Sequence, residues 1–162
     1  MRPVILESQG LVAALRSYIR QLTESIASQA QVSGQPARPG NLLLQADDLP
    51  FPLTPQADKN IFSVLQEAIN NIRKYADADN VWIRVGLDDE NLLFAAEDDG
   101  VGFDFNAVHS TYESRGSFGL LNMFERTEML GGVLNIESPS PNTGRGTLIQ
   151  GRVPVSGIQG NS

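Results

Sequence analysis

From Leu92 onward an alternating apolar strand runs out into Asp98-Asp99-Gly100-Val101-Gly102. Two carboxylates followed by spaced glycines cannot continue as regular sheet. Glycine lets the backbone turn there and lets another group come close. Alternation places Leu92, Phe94, Ala96 and Asp98 on one face, the apolar one, and turns Asp99 away. Any fold of this chain must therefore bury the Asp98 carboxylate between its layers. That is costly without a partner. The plainer alternative is that Asp98 only caps the turn through Gly100, and an Asp-x-Gly-x-Gly segment alone is more often a turn than a site.

The rest of the chain supplies the layers. Leu11, Ala14, Leu15, Tyr18, Ile19, Leu22 and Ile26 recur at helical spacing, which predicts an amphipathic helix over about 8–30. A loop through Ser33 to Gly40 breaks it, and Asn41 to Gln45 reads as a short strand. After a second loop, Thr54 is a helix N-cap with Pro55 at the first helical position. That helix is expected to reach about Ala76, with Ile61, Leu65, Ala68 and Ile72 as its core stripe. Val81 to Leu87 alternates as a strand, with Val81, Ile83, Val85 and Leu87 facing in, and a hairpin turn leads to the return strand Leu92–Asp98. Residues 104–115 are polar and aperiodic, a flap. A further helix spans about Gly119 to Leu130, ended by Gly131-Gly132, and strands follow at Val133–Ser138 and Thr147–Val153. The order α, β, α, β, β, α, β, β predicts an α/β (α+β) two-layer sandwich. Its mixed, mostly antiparallel sheet of about five strands is covered on one face by three helices.

At 162 residues one domain is expected. It should occupy 1–155, with 1–7 as the tail of a preceding linker and 156–162 as a flexible C-terminal tail. The net charge of −7, without any Lys/Arg run, argues against nucleic acid and against an anionic membrane surface. Cysteine is absent, which removes disulfides and thiolate metal sites. No apolar run approaches the roughly 18–20 residues of a membrane span, and no signal peptide is visible, so the expected location is cytoplasmic.

A second segment gives the buried carboxylate a context. In the helix after Pro55, Glu67, Asn71 and Lys74 stand at i, i+4 and i+7 and share a face. An asparagine oxygen suits Mg²⁺, which keeps few protein ligands and several waters. Glu67 can act as a general base or orient a nucleophile, and Lys74 can neutralise phosphate charge. Asn70 adjoins the same face, so periodicity leaves it open as the metal ligand. Alone, such a face is more often a solvated Glu/Lys stripe. Gly116 and Gly119 flank a loop that opens the following helix, and helix N-terminal amides attract anions. This loop lacks the Lys-Ser/Thr of a P-loop and the preceding strand of a dinucleotide fingerprint. His109, the single histidine, reads as an exposed flap residue. Carboxylate, amide, amine, glycines and helix N-terminus together suggest Mg²⁺ and a nucleoside triphosphate.

In this order and spacing the segments resemble the ATP-binding catalytic domain of bacterial sensor histidine kinases, a branch of the GHKL ATPase superfamily. Glu67 to Ala76 looks like the family's N box, and Asp98 to Phe103 like its G1 box. Gly116-Ser117-Phe118-Gly119-Leu120 looks like the G2 box, and Gly144-Arg145-Gly146-Thr147 like the terminal glycine-threonine box. The run Gly119 to Arg126, ending Leu130-Gly131-Gly132, is similar to the nitrate-sensor-like subfamily, as is Arg2-Pro3 with Leu6-Glu7 and Gly10 to Leu15. The match covers roughly residues 2–154. The resemblance implies a protein histidine kinase that uses ATP and Mg²⁺. It assigns Asn71 to Mg²⁺ and Asp98 to the adenine amino group. Gly100 and Gly102 form the pocket wall, Gly116, Gly119 and Leu120 the end of an ATP lid, and Thr147 a neighbour of adenine. Implied partners are a phosphoacceptor-His dimerisation domain, absent from this chain, and a response regulator. Without the dimerising helices the domain is expected to be a monomer. Tyr75 stands where the subfamily usually has His. Competing readings are a serine kinase of the same superfamily, a gyrase-, chaperone- or mismatch-repair-type ATPase, and a nucleotide-binding module without turnover. The segment from Asp104 to Ser117 is expected to order when nucleotide binds.

Overall fold

The computed structural model describes residues 9–102 and 115–160, the first four of the second stretch by backbone alone. Among the described residues three helices and five strands follow one another: α1 (Leu11–Ser33), β1 (Asn41–Ala46), α2 (Pro55–Tyr75), β2 (Asn80–Asp88), β3 (Asn91–Asp98), α3 (Arg115–Glu128), β4 (Val133–Glu137) and β5 (Leu148–Pro154). The five strands form one sheet in the order β1-β2-β3-β5-β4. Only β1 and β2 run parallel, and the crossover that parallel neighbours require is α2. The other pairs are antiparallel. The predicted two-layer sandwich with a mixed, mostly antiparallel sheet is the observed fold.

The core lies between the sheet and the helices. Val81, Ile83 and Val85 of β2 and Leu92, Phe94 and Ala96 of β3 meet Ile61, Leu65, Ala68 and Ile72 of α2, all buried. Full burial of a side chain such as Leu65 contributes about 1.5–3 kcal/mol. The Thr54 hydroxyl caps α2, accepting from the Ala57 N–H at 3.2 Å, with Pro55 following. A side chain at Gly151 would run into the Phe94 ring. The aromatic thus fills the space its cross-strand partner leaves open.

Several expectations shift. Helix α1 runs from Leu11 to Ser33 rather than over about 8–30, and ends on left-handed Gly34, whose N–H donates to the Ala30 carbonyl. Leu87, expected to face inward, is 41% exposed, because it lies at the turn end of the hairpin beside the exposed Asp88 and Asp89. Helix α3 begins at Arg115, so Gly116 and Gly119 fall inside the helix and not in a loop before it. The polar flap, His109 and the 1–7 linker lie outside the described residues, as does most of the segment expected to order with nucleotide.

The flexible tail from residue 156 is not found as far as Gly160. A 3₁₀ turn at Val155–Gly157 brings Ile158 into the core, fully buried. The Thr54 N–H donates to the Ile158 carbonyl at 2.8 Å, and the Gly160 N–H to the Pro52 carbonyl at 2.7 Å. An antiparallel bridge joins Leu53 to Gln159. The tail thereby braces the segment that launches α2, through backbone pairing that sequence pattern does not display. Ile158→Ala should lower the unfolding free energy by about 2–5 kcal/mol, as for other buried large-to-small changes. Chemical denaturation checks it, and an unchanged midpoint would mean that the tail contributes nothing.

Candidate functional site

Strand β3 delivers Asp98 to the helical layer as alternation requires. Its carboxylate is completely buried. Oδ1 accepts the Gly100 N–H at 2.8 Å, so the turn cap is real. Among the described residues, Oδ2 has no hydrogen-bond partner. Buried acceptors without partners are rare, and each calls for a reason. Burial pushes the Asp98 carboxyl above its ordinary pKa, with the Asp99 and Glu97 charges adding to the rise and the Gly100 and Thr147 backbone holding it back.

Around that oxygen a narrow cleft opens. Asn71, Tyr75 and the capping residue Ala76 come from the end of α2, Gly102 from the glycine turn, Leu120 from α3, Ile136 from β4, Thr147 from just before β5 and Ile149 from β5. Its described walls are mostly apolar, with the Asp98 carboxylate the one charged group among the described lining residues. About 20 Å³ of it is open to water among the described residues. A larger cleft of about 600 Å³ lies elsewhere, between the start of α1 and the Asp48–Leu53 loop. It touches none of the candidate residues and contains no orphaned polar atom.

Glycines let the walls meet. A side chain at Gly100 would strike the Ala76 carbonyl, and the neighbouring Val101 N–H donates to that same carbonyl at 2.8 Å. Gly146, at φ +73°, rests on the Asp98 backbone, and the Asp98 N–H donates to the Thr147 carbonyl at 3.0 Å. A side chain at Gly119 would collide with Glu67 Oε1, so the Glu67 carboxylate lies against the first turns of α3.

Of the residues singled out in the sequence, Asn71, Asp98, Gly102, Leu120 and Thr147 line one cleft. Gly100 packs directly behind it and Glu67 stands against Gly119. Gly116 lies in the first turn of α3. Lys74 is exposed and outside the lining, despite its shared helical face, because the face turns to solvent beyond Asn71. Asn70 is also outside the lining, which favours Asn71 where periodicity left both open. No cluster of three or more His, Cys, Asp or Glu side chains suited to a metal exists among the described residues.

Two neighbours of Asp98 are also engaged. Asp99 accepts the Asp79 and Asn80 N–H groups at 3.1 and 2.9 Å and the Asn80 side-chain amide at 2.7 Å. Glu97, on the opposite face, is buried under the β4–β5 loop. Burial pushes both carboxyls up, but hydrogen bonds outweigh it and leave both below the ordinary range, those from Ser140, Arg84 and Asn142 at Glu97 and those from Asn80 and Asp79 at Asp99. Sequence reasoning missed Glu97, since an acid on the outer face of a sheet reads as solvated. It also passed over Ile136 and Ile149, whose inward positions alternation could have revealed.

A family model described as "Histidine kinase-, DNA gyrase B-, and HSP90-like ATPase" matches residues 57–157. An uncharacterized sensor-like histidine kinase of Chloroflexus aurantiacus is 36% identical over 96% of this chain and 24% of its own length. The signal transduction histidine-protein kinase/phosphatase DegS of Bacillus subtilis is 30% identical over 96% of this chain and 37% of its own. The oxygen sensor histidine kinase NreB of Staphylococcus carnosus is also 30% identical, over 96% and 40%. The chain thus spans between a quarter and two fifths of these curated relatives. Among solved structures, the histidine kinase AdeS of Acinetobacter baumannii superposes with a TM-score of 0.63, at 16% identity over 93% of this chain and 72% of that one. The histidine kinase domain of the Erythrobacter litoralis EL346 blue-light activated kinase gives 0.61, at 20% identity over 86% and 60%. These two share the fold.

Ionised Asp98 costs the unliganded protein stability. Because its pKa is raised in the folded state, that cost is absent below the unfolded pKa and appears as pH rises through the folded one. Without ligand, Asp98→Asn should therefore be at least as stable as wild type at neutral pH. The difference should shrink as pH falls towards about 4, the ordinary Asp range. Denaturant midpoints across pH check this, and a variant markedly less stable at neutral pH would contradict it.

Proposed function

This chain belongs to the histidine kinase-, DNA gyrase B- and HSP90-like ATPase family, and on that premise we propose that it is the ATP-binding catalytic domain of a two-component sensor histidine kinase. The observation that carries the reading is Asp98 Oδ2, a buried carboxylate oxygen with no partner among the described residues, at the end of an apolar cleft. An exocyclic amine on a flat apolar base is the donor such a place lacks. Adenine has both. Thr147 and the glycine backbone at Gly100 and Gly102 would border the base, and Leu120 would pack on it. The same orphaned oxygen disfavours a binding module that has lost its ligand, since a buried half-satisfied charge has no use in a relic.

From the base, the phosphates would run towards Asn71, Glu67 and the first turns of α3, the helix that carries Gly116 and Gly119 and whose N-terminal amides favour anions. Asn71 offers a carbonyl oxygen for Mg²⁺, which when bound neutralises phosphate charge. Lys74, exposed nearby, would reach the phosphates only by extending over the rim. The reaction is transfer of the γ-phosphoryl group to an imidazole nitrogen of a histidine on a separate dimerisation domain. The N–P bond forms, the bond to the β-phosphate's bridging oxygen breaks, and ADP leaves. Glu67, held against Gly119, would orient that imidazole or accept its proton. The phosphoryl group would then pass to a response regulator. ATP as substrate and a regulator as partner imply a cytoplasmic setting. Among the described residues no helix is long and apolar enough to cross a membrane.

Calorimetric titration with ATP, with and without Mg²⁺, tests the reading. Asp98→Asn should weaken binding about ten- to a hundredfold, the worth of roughly 1.5–3 kcal/mol for a hydrogen bond to a charged acceptor. Wild-type affinity in the folded variant would remove Asp98 from the site. Asn71→Ala should abolish the Mg²⁺ enhancement more than it harms nucleotide binding itself. If Asn70→Ala proves the more damaging in Mg²⁺ titrations, the ligand is the neighbouring residue. Label from γ-³²P ATP should reach a supplied phosphoacceptor-His domain. Acid-stable label on serine would instead favour the serine-kinase alternative.

A further inference from the structure

We propose that Glu97 is a positioning residue for the nucleotide cleft: from the outer face of the sheet its carboxylate clasps the β4–β5 loop and so sets where Gly146 and Thr147 stand against Asp98. The inference rests on the nucleotide-binding reading and extends it to a residue outside the cleft.

Glu97 and Asp98 are consecutive on β3 and point to opposite faces. Glu97 is nevertheless completely buried. Its Oε1 accepts from Arg84 Nη1 at 2.8 Å. Its Oε2 accepts from the Ser140 hydroxyl and from Asn142 Nδ2, the latter at 3.0 Å. Three donors from two elements therefore converge on one side chain. Only a carboxylate meets them all as an acceptor, whereas glutamine would turn N–H groups towards one of the donors.

What Glu97 holds is the hinge of the loop. Ser140 is 1% exposed, its N–H donates to the Gly146 carbonyl at 3.2 Å, and its carbonyl accepts the Gly144 N–H at 2.9 Å. The Ser138 hydroxyl donates to the Gly146 carbonyl as well, at 3.0 Å. The loop is closed on itself around Ser140, and Ser140 is pinned to the sheet by Glu97. The closed loop then sets Gly146 on the Asp98 backbone and sends Thr147 into the cleft lining. A carboxylate on the solvent side of the sheet thus controls a wall of the cleft on the helix side.

The sign of the effect separates positioning from charge. On electrostatics alone, neutralising a carboxylate near a polyanionic ligand tightens binding. If Glu97 acts by holding the loop, Glu97→Gln weakens it. Calorimetric titration of the whole chain with ADP, on variants whose fold is verified by circular dichroism, is the experiment. Glu97→Gln should weaken ADP binding about tenfold. Glu97→Gln/Ser140→Ala should bind no more weakly than Glu97→Gln alone, because both changes cut the same link. Exposed Glu137→Gln should leave affinity unchanged or slightly tighter. Unchanged or tighter binding by folded Glu97→Gln, or fully additive losses in the double variant, would overturn the proposal. Should Glu97→Gln fail to fold, Ser140→Ala and Asn142→Ala stand in: each should weaken ADP binding, and wild-type affinity in both overturns it. A wild-type chain that does not bind ADP would instead refute the nucleotide-binding reading itself.

Discussion

The layers of this molecule converge on one buried carboxylate oxygen that has no partner among the described residues. Asp98 Oδ2 can exist where it does only because β3 stops there. A strand continuing past Asp98 would need side chains at 100 and 102, and the first of these would collide with the end of α2. The glycines are the condition for bringing α2, the sheet and the β4–β5 loop to one point, and the orphaned oxygen is what that convergence encloses. Leaving a buried polar group unpaired costs about 1–3 kcal/mol. On the nucleotide-binding reading, a ligand donor would recover that cost, so part of the binding free energy would already be stored in the unliganded fold.

Three consecutive acids meet three different fates, decided by geometry and not by composition. Glu97 is saturated by Ser140, Arg84 and Asn142, and Asp99 by the Asn80 and Asp79 amides, and each is held below the ordinary carboxylate range. Asp98 alone is short of donors, and alone is pushed up. The two satisfied acids tie down the two loops that flank the unsatisfied one. Asp99 fixes the turn after α2, and Glu97 fixes the loop before β5.

The layer order and the inward face of β3 were legible because period-two and period-3.6 patterns report burial directly. So were Thr54 as a cap and Asp98 as a buried acid. Features that depend on long-range hydrogen bonds were not. Glu97 carries no sign in the sequence that Ser140 and Asn142, more than forty residues on, will cover it. Ile158 looked like part of a polar tail because backbone pairing with Pro52 and Thr54 leaves no mark on side-chain pattern. Lys74 stands outside the cleft lining for a related reason. Spacing puts it on the face of Glu67 and Asn71, but it cannot say where along the helix the neighbouring elements end.

That boundary also bears on how the cleft works. Asn71 is the last residue of its helical face to be covered, and Tyr75, one turn on, is half exposed at the rim. The cleft therefore passes from fully enclosed at Asp98 to open within two turns of α2. The closed end is suited to a flat apolar base that leaves its water behind. The open end is suited to phosphates and a hydrated cation, which keep theirs, and to the approach of a second protein. On the proposed reading, a graded enclosure of this kind would separate recognition of the nucleotide from delivery of its terminal phosphoryl group, and both would be set by where one helix runs out of neighbours.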